Sequence, residues 1–84
     1  MKRQIHESAY KHGIRAADML HVMDHPTVTK DVDDDRVLYL GWSTDGVLLE
    51  VLSYLPRSDL ELIVHAMPIR RRYEALLPHS RRRP

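Results

Sequence analysis

The sequence predicts an α+β domain: an antiparallel sheet of three to four strands, with two helices before it and one after it. Three observations predict this. Apolar residues recur at helical spacing ahead of Pro26, at a period of two from Thr27 to Met67, and at helical spacing again after Pro68. Asp45-Gly46 and Pro56-Arg57-Ser58-Asp59 are turn signals lying between runs rich in Val, Ile, Leu, Tyr and Trp. Pro26, Pro68 and Pro78 stand where a helix must stop or can start.

The elements follow in order. Residues 2–12 read as a weak helix with Ile5, Ala9 and His12 on one face, and Gly13 suits its left-handed C-terminal position. Residues 15–25 read as a stronger helix, because Ala16, Met19, Leu20 and Met23 follow the i, i+3, i+4, i+7 spacing. Thr27–Val32 reads as a short strand leading into the acidic turn. Arg36–Ser43, Val47–Leu55 and Leu60–Met67 read as three full strands. Ile69–Leu77 reads as the last helix, with Ile69, Tyr73, Leu76 and Leu77 on one face. Residues 1–78 thus form one domain, and residues 79–84 a basic, disordered tail.

The turns set an expected register. With Asp45-Gly46 as a two-residue loop, Thr44 pairs with Val47 and Gly41 falls opposite Glu50. With Pro56–Asp59 as the second loop, Glu50 falls opposite His65. The core face then holds Leu38, Leu40, Trp42, Val47, Leu49, Val51, Leu55, Leu60, Leu62, Val64 and Ala66. The other face holds Tyr39, Gly41, Glu50, Leu52, Tyr54, Ile63 and His65. A slip of one residue would exchange the faces and send Glu50 inward, so the register has a physical check.

Composition narrows the function. The 84 residues contain no Cys, which excludes a disulfide scaffold, a thiolate metal site and a cysteine nucleophile, and which fits a reducing cytoplasm. No apolar run approaches the ~20 residues of a membrane span, and the start is polar rather than signal-like. With only Gly13, Gly41 and Gly46 there is no phosphate-cradling glycine loop. The net charge of +1 conceals segregation. Residues 1–30 carry five cations and three anions, residues 31–61 two and eight, and residues 62–84 six and one. The basic end suits a polyanion such as RNA, and the acidic middle suits a basic partner; a solvated face explains either run equally well.

Glu50 opposite His65 is the pair with chemical content. Read as structure, it is a cross-strand ion pair that fixes register. Read as chemistry, the carboxylate favours the charged imidazole and holds one tautomer. Pro68 follows directly, and the last helix carries Arg70, Arg71, Arg72 and Tyr73. RNA cleavage without a metal needs a base for the 2′-hydroxyl, an acid for the leaving oxygen and cations for the phosphorane charge. His, Glu, Arg and Tyr on one face supply those roles. His21 and His25 share a helix face at i, i+4 but lack a third ligand at a known spacing.

Several short motifs in order resemble BrnT-type toxins. They are Tyr10-Lys11-His12-Gly13-Ile14 before an amphipathic helix, the Arg36–Trp42 strand, the Asp45–Val51 hairpin, and Ile63-Val64-His65-Ala66-Met67 leading into Arg70-Arg71-Arg72-Tyr73. The resemblance covers residues 9–77. It implies a RelE-like fold and the toxin half of a type II toxin–antitoxin pair, a ribonuclease that arrests translation and is neutralised by a cognate DNA-binding antitoxin. Two departures stand out. The strand that BrnT-type chains place before the first helix is missing or reduced to Met1–Ile5. Where they commonly end the last strand in Ser-Ala-Arg, this chain has His65-Ala66-Met67, which leaves Arg70 or Arg71 to replace the arginine.

Register and resemblance together nominate His65, Glu50, Arg70 and Tyr73 as catalytic and Arg71, Arg72, Tyr39 and Tyr54 as RNA contacts, and the resemblance adds Lys11 and His12 to those contacts, with no metal and no cofactor. The expected partners are RNA and an antitoxin in a heteromeric complex. Two rival readings stand beside this one: a non-catalytic module that uses the same sheet face to bind a partner protein, and a nucleic-acid binder that acts through the basic C-terminal end without cleaving.

Overall fold

A computed structural model describes residues 1–78; the tail expected at 79–84 lies outside the described residues. The chain runs β1 (Lys2–Ile5), a single 3-10 turn (Glu7–Tyr10), α1 (Ala16–Asp24), β2 (Val28–Asp33), β3 (Arg36–Trp42), β4 (Leu48–Arg57), β5 (Leu60–Pro68) and α2 (Arg71–Glu74). The strands form one sheet in the order β1-β5-β4-β3-β2, in which β1 runs parallel to β5 and every other pair is antiparallel. The fold is α+β. Its sheet is mixed and five-stranded, rather than antiparallel with three to four strands, and it has two helices rather than three.

The extra strand accounts for the missing helix. Lys2–Ile5 pairs with Leu60–Ile63, and the His6 N–H still donates to the Ile63 carbonyl at 2.8 Å. Next, the His6 ring Nδ1 accepts from the Ser8 N–H at 3.1 Å and opens the 3-10 turn, which tucks Ala9 into the core. An isolated eleven-residue helix is marginal in water, whereas the edge of β5 offers a ready ladder of hydrogen bonds.

The stronger N-terminal helix forms nearly as its spacing predicts. Met19, Val22 and Met23 are buried, and the His25 N–H closes the end on the His21 carbonyl at 2.9 Å, just before Pro26. Its packing against β3 is close at Gly41, where a Cβ would stand 3.2 Å from Val22 Cγ1 and 3.4 Å from the His25 carbonyl oxygen. Gly41→Ala should therefore destabilise the domain by about 1 kcal/mol through overpacking, lowering the melting temperature by roughly 4–8 °C. A thermal melt unchanged by the substitution would show that helix and sheet are less tightly seated.

Both turn readings are corrected. The β3–β4 loop has three residues, Thr44-Asp45-Gly46, with the Ser43 N–H on the Val47 carbonyl at 2.8 Å and Gly46 at φ +82°. Glycine supplies the left-handed residue that closes such a loop. Leu40, not Gly41, is therefore opposite Glu50. That single step moves Leu38 and Leu40 away from the Leu49 and Val51 face, and it moves Tyr39 onto it. The β4–β5 loop has two residues, Ser58 and Asp59, because Pro56 and Arg57 stay in the strand. Glu50 is opposite Met67 and Leu52 is opposite His65.

The sheet is covered on both faces, so the single core face expected from alternation divides in two. Leu49, Val51, Ile63 and Ala66 pack beneath Met19, Val22, Met23 and Ala9. Leu38 and Leu40 pack with Leu48, Leu52, Ile69, Tyr73, Leu76 and Leu77. Trp42 and Val47, expected in the core, are exposed. Helix α2 is only four residues long, because the Ile69 N–H still donates to the Leu48 carbonyl at 3.0 Å and holds the start of the segment extended. All four apolar residues of the expected helix nonetheless pack on the sheet. Among the described residues, no helix is long and apolar enough to cross a membrane.

Candidate functional site

A groove of about 420 Å³ opens between the sheet and the C-terminal segment, lined by Val32, Arg36, Leu38, Leu52, His65, Arg70, Arg72 and Tyr73. A β-bulge puts His65 there. Along β5 the pairing shifts at Val64, so that Ile63 sits opposite Ser53 and His65 opposite Leu52. Ile63 and His65 are two residues apart and would share a face in a regular strand. The bulge sends Ile63 under α1 and turns His65 to the groove, the re-aiming such irregularities accomplish.

Behind His65 lies Glu50, fully buried yet saturated with donors. Its Oε1 accepts the Arg70 backbone N–H at 2.9 Å. Its Oε2 accepts Arg70 Nε at 3.0 Å, Arg70 Nη2 at 2.7 Å and His65 Nε2 at 2.9 Å. Burial pushes the Glu50 carboxyl up, but the hydrogen bonds from Arg70 and His65 outweigh it and hold the group below the usual carboxylate range. An ionised carboxylate only accepts, so His65 carries its proton on Nε2, and in the neutral ring Nδ1 is the lone-pair nitrogen. The sequence placed Glu50 directly across from His65. The structure makes the contact on a diagonal, within reach of long side chains.

The cations divide by their partners. Arg70 is tied to Glu50, and Arg36 is tied to Asp33 at 2.6 Å. Among the described residues, Arg72 is the groove-lining cation with no carboxylate in ion-pair contact. Its Nη2 donates to the Tyr73 hydroxyl at 2.9 Å, and its guanidinium carbon lies 4.9 Å from the Tyr73 ring centroid; that of Arg70 lies 5.4 Å away.

Of the residues the sequence nominated, the structure gathers His65, Glu50, Arg70, Tyr73 and Arg72. His12 does not line the groove but touches His65 from outside the sheet. β1 ends opposite Ile63, the 3-10 turn takes over the free edge of β5 through Ser8 Oγ on the Val64 carbonyl at 2.8 Å, and the chain then lays His12 against His65. The two rings meet edge to face with centroids 5.7 Å apart. Lys11 is exposed next to His12. Arg71 is exposed and Tyr54 lies at the groove-side sheet face, but neither lines the groove.

Tyr39 is not at this site. It stands on the α1 face, where its hydroxyl donates to Glu61 Oε2, which also accepts from Ser53 Oγ at 2.7 Å; Arg3 Nε reaches Glu61 Oε1 at 3.3 Å. Glu61 thereby becomes a second buried and fully partnered carboxylate. Sequence reasoning missed this network; its only signal was an acid within the apolar run Leu60-Glu61-Leu62-Ile63. Arg36, Leu38 and Leu52 were also missed as groove residues, because their exposure to it depends on the corrected register. His21 and His25 lie with ring centroids 4.8 Å apart. Among the described residues, no three His, Cys, Asp or Glu side chains gather as a metal would require. Comparison with protein-family models, curated proteins and solved structures finds no match to this chain.

Proposed function

We propose that this chain is a metal-independent endoribonuclease of RelE-like architecture, the toxin half of a BrnT-type toxin–antitoxin pair that acts in the cytoplasm. One observation carries the reading: a histidine whose tautomer is fixed by a buried carboxylate opens onto a groove lined by arginine and tyrosine. His65 Nδ1 takes the proton of a 2′-hydroxyl, the oxygen attacks the adjacent phosphorus, and Arg72 stabilises the charge that develops on the phosphoryl oxygens. Tyr73 offers a flat face on which an unpaired base stacks. The strand Lys2–Ile5 ahead of α1 agrees with the strand that BrnT-type chains carry there. With Met67 in place of their arginine, Arg70 occupies the carboxylate instead and holds the general base in position.

The test is RNA cleavage by the purified chain, freed of any co-expressed antitoxin. His65→Ala is expected to reduce cleavage by about 10²- to 10⁴-fold, with growth inhibition lost in parallel. A wild-type chain that leaves RNA intact would overturn the reading, as would a His65→Ala variant that cuts at the wild-type rate. In the first case the interaction module takes precedence. Its supporting observation is the outer strand β2, whose free edge and following turn carry Asp31, Asp33, Asp34 and Asp35 for a basic extended partner.

A further inference from the structure

The geometry points to His12 as the general acid that protonates the leaving 5′-oxygen, making the site a pair of imidazoles with divided roles. The inference rests on the ribonuclease reading and adds to it the group that reading lacks. Cleavage of an RNA linkage by its own 2′-hydroxyl, a transesterification, needs two proton transfers, and His65 accounts for one.

The environments of the two rings separate the tasks. His65 is partly buried and has Glu50 from β4 on its Nε2, Arg70 of the C-terminal segment on that same carboxylate, and Arg36, Arg72 and Tyr73 along the groove it lines. Its available nitrogen is a lone pair directed by a fixed tautomer, which is the condition of a base. His12 is exposed, follows the cationic Lys11, and has as its ring contact the edge-to-face His65. No carboxylate lies in ion-pair or hydrogen-bond contact with it among the described residues. Its exposure leaves the ring open to proton exchange with water, which an acid that must be recharged at each turnover requires. Gly13, next in the chain, takes φ +77°, turning the backbone sharply just after His12 and into the segment that leads to α1.

The step balances without any other reagent. The 2′-oxygen gives its proton to His65 Nδ1 and forms a bond to phosphorus. The bond from phosphorus to the 5′-oxygen breaks, its electron pair passes to that oxygen, and the oxygen takes a proton from the His12 imidazolium. The products are a 2′,3′-cyclic phosphate and a free 5′-hydroxyl. One proton has been taken up and one released, so exchange with water restores both rings.

A leaving group that needs no proton separates the roles. The probes are an RNA oligonucleotide and the 4-nitrophenyl esters of the four nucleoside 3′-phosphates, whose phenolate departs unprotonated. His12→Ala should slow cleavage of the oligonucleotide by about 10²-fold or more while leaving the best of the aryl esters within a few-fold of wild type. His65→Ala should slow both. The rate profile of His12→Ala on the oligonucleotide should also lose its alkaline limb, because that limb reports deprotonation of the acid. The exposed position of His12 predicts an unchanged thermal melt, which excludes misfolding as the cause. Equal losses on both probes would overturn the assignment by making His12 a binding or positioning residue, and so would wild-type cleavage of the oligonucleotide by His12→Ala. Either result leaves His65 and the ribonuclease reading standing. Failure of the wild type on every probe removes both.

Discussion

Glu50→Ala should destabilise the protein by about 3 kcal/mol. Breaking a buried ion pair by removing one partner costs about 3–5 kcal/mol, because the other is left without its compensating charge. The lower end applies, since Arg70 and His65 are partly exposed and water can reach them once the carboxylate is gone. Three donors of Arg70 and one of His65 lose their acceptor together. In a domain of this size the loss should lower the melting temperature by at least about 12 °C. Removing Arg70 as well should cost less than the two changes added separately, because an unpaired guanidinium is no longer left behind. A thermal or urea melt of the single and double variants measures this. A Glu50→Ala protein within about 1 kcal/mol of wild type would mean that the carboxylate is not the clasp between the sheet and the C-terminal segment. Under the proposed function, RNA cleavage should fall in the same variant, since His65 loses the partner that holds its tautomer.

Much of the fold was legible because the strands are long and their punctuation is strong. Asp45-Gly46 located the β3–β4 hairpin within a residue, and Pro26 and Pro68 located the ends of α1 and β5 within one or two. Register was the weak point, for a physical reason. When both faces of a sheet are covered, alternation no longer tells inside from outside: Leu38, Leu40, Leu49 and Val51 are all buried, in two different cores. The deciding quantity was whether Thr44 belongs to the strand or to the loop, and a two-residue and a three-residue turn both accept Asp-Gly. β1 was illegible because a four-residue parallel edge strand with one partly buried side chain leaves no periodicity to detect.

The candidate site was legible where chemistry outweighs geometry. A glutamate inside Leu48–Leu52 must be exposed or fully partnered, and His65, Arg70 and Tyr73 follow close enough in sequence to be those partners or neighbours. The pair survived two errors of register because its long side chains meet on a diagonal as readily as face to face. The bulge at Val64 was not legible, and neither was the division of the tyrosines. Tyr39 and Tyr54 were placed on one face with His65, yet Tyr39 serves the Glu61 network under α1. Nor could sequence show that Arg70 is neutralised by Glu50 while Arg72 is not, since that depends on which guanidinium reaches the carboxylate.

The two buried carboxylates and Tyr39 should confine the stability of the domain to a window closed on both the acid and the alkaline side. Glu50 and Glu61 both titrate in the native state below their ordinary value of 4.5: burial raises each, and their hydrogen bonds more than reverse it, from Arg70 and His65 at Glu50 and from Tyr39, Ser53 and Arg3 at Glu61. The native state therefore binds fewer protons than the unfolded chain in this range. Stability is fully present above pH 4.5 and is lost as pH falls through the lower native values. Tyr39 acts in the opposite sense. Burial, together with its hydrogen bond to Glu61, pushes the phenol from 10.0 up to about 12, so the native state holds a proton that the unfolded chain releases. Its contribution is intact below pH 10 and is lost as pH rises toward 12. The midpoint of urea unfolding should accordingly decline on both flanks. Glu61→Gln should flatten the acid flank in proportion to that group, and Tyr39→Phe should flatten the alkaline flank while leaving the acid contribution of Glu50 untouched. Because Tyr39 donates to Glu61 from the α1 face and Glu50 closes the groove from the other, the two networks should respond independently. Glu50→Gln and Glu61→Gln should then have additive effects on the acid flank. An acid flank that keeps its wild-type slope in the double variant would place the proton-linked stability elsewhere in the molecule.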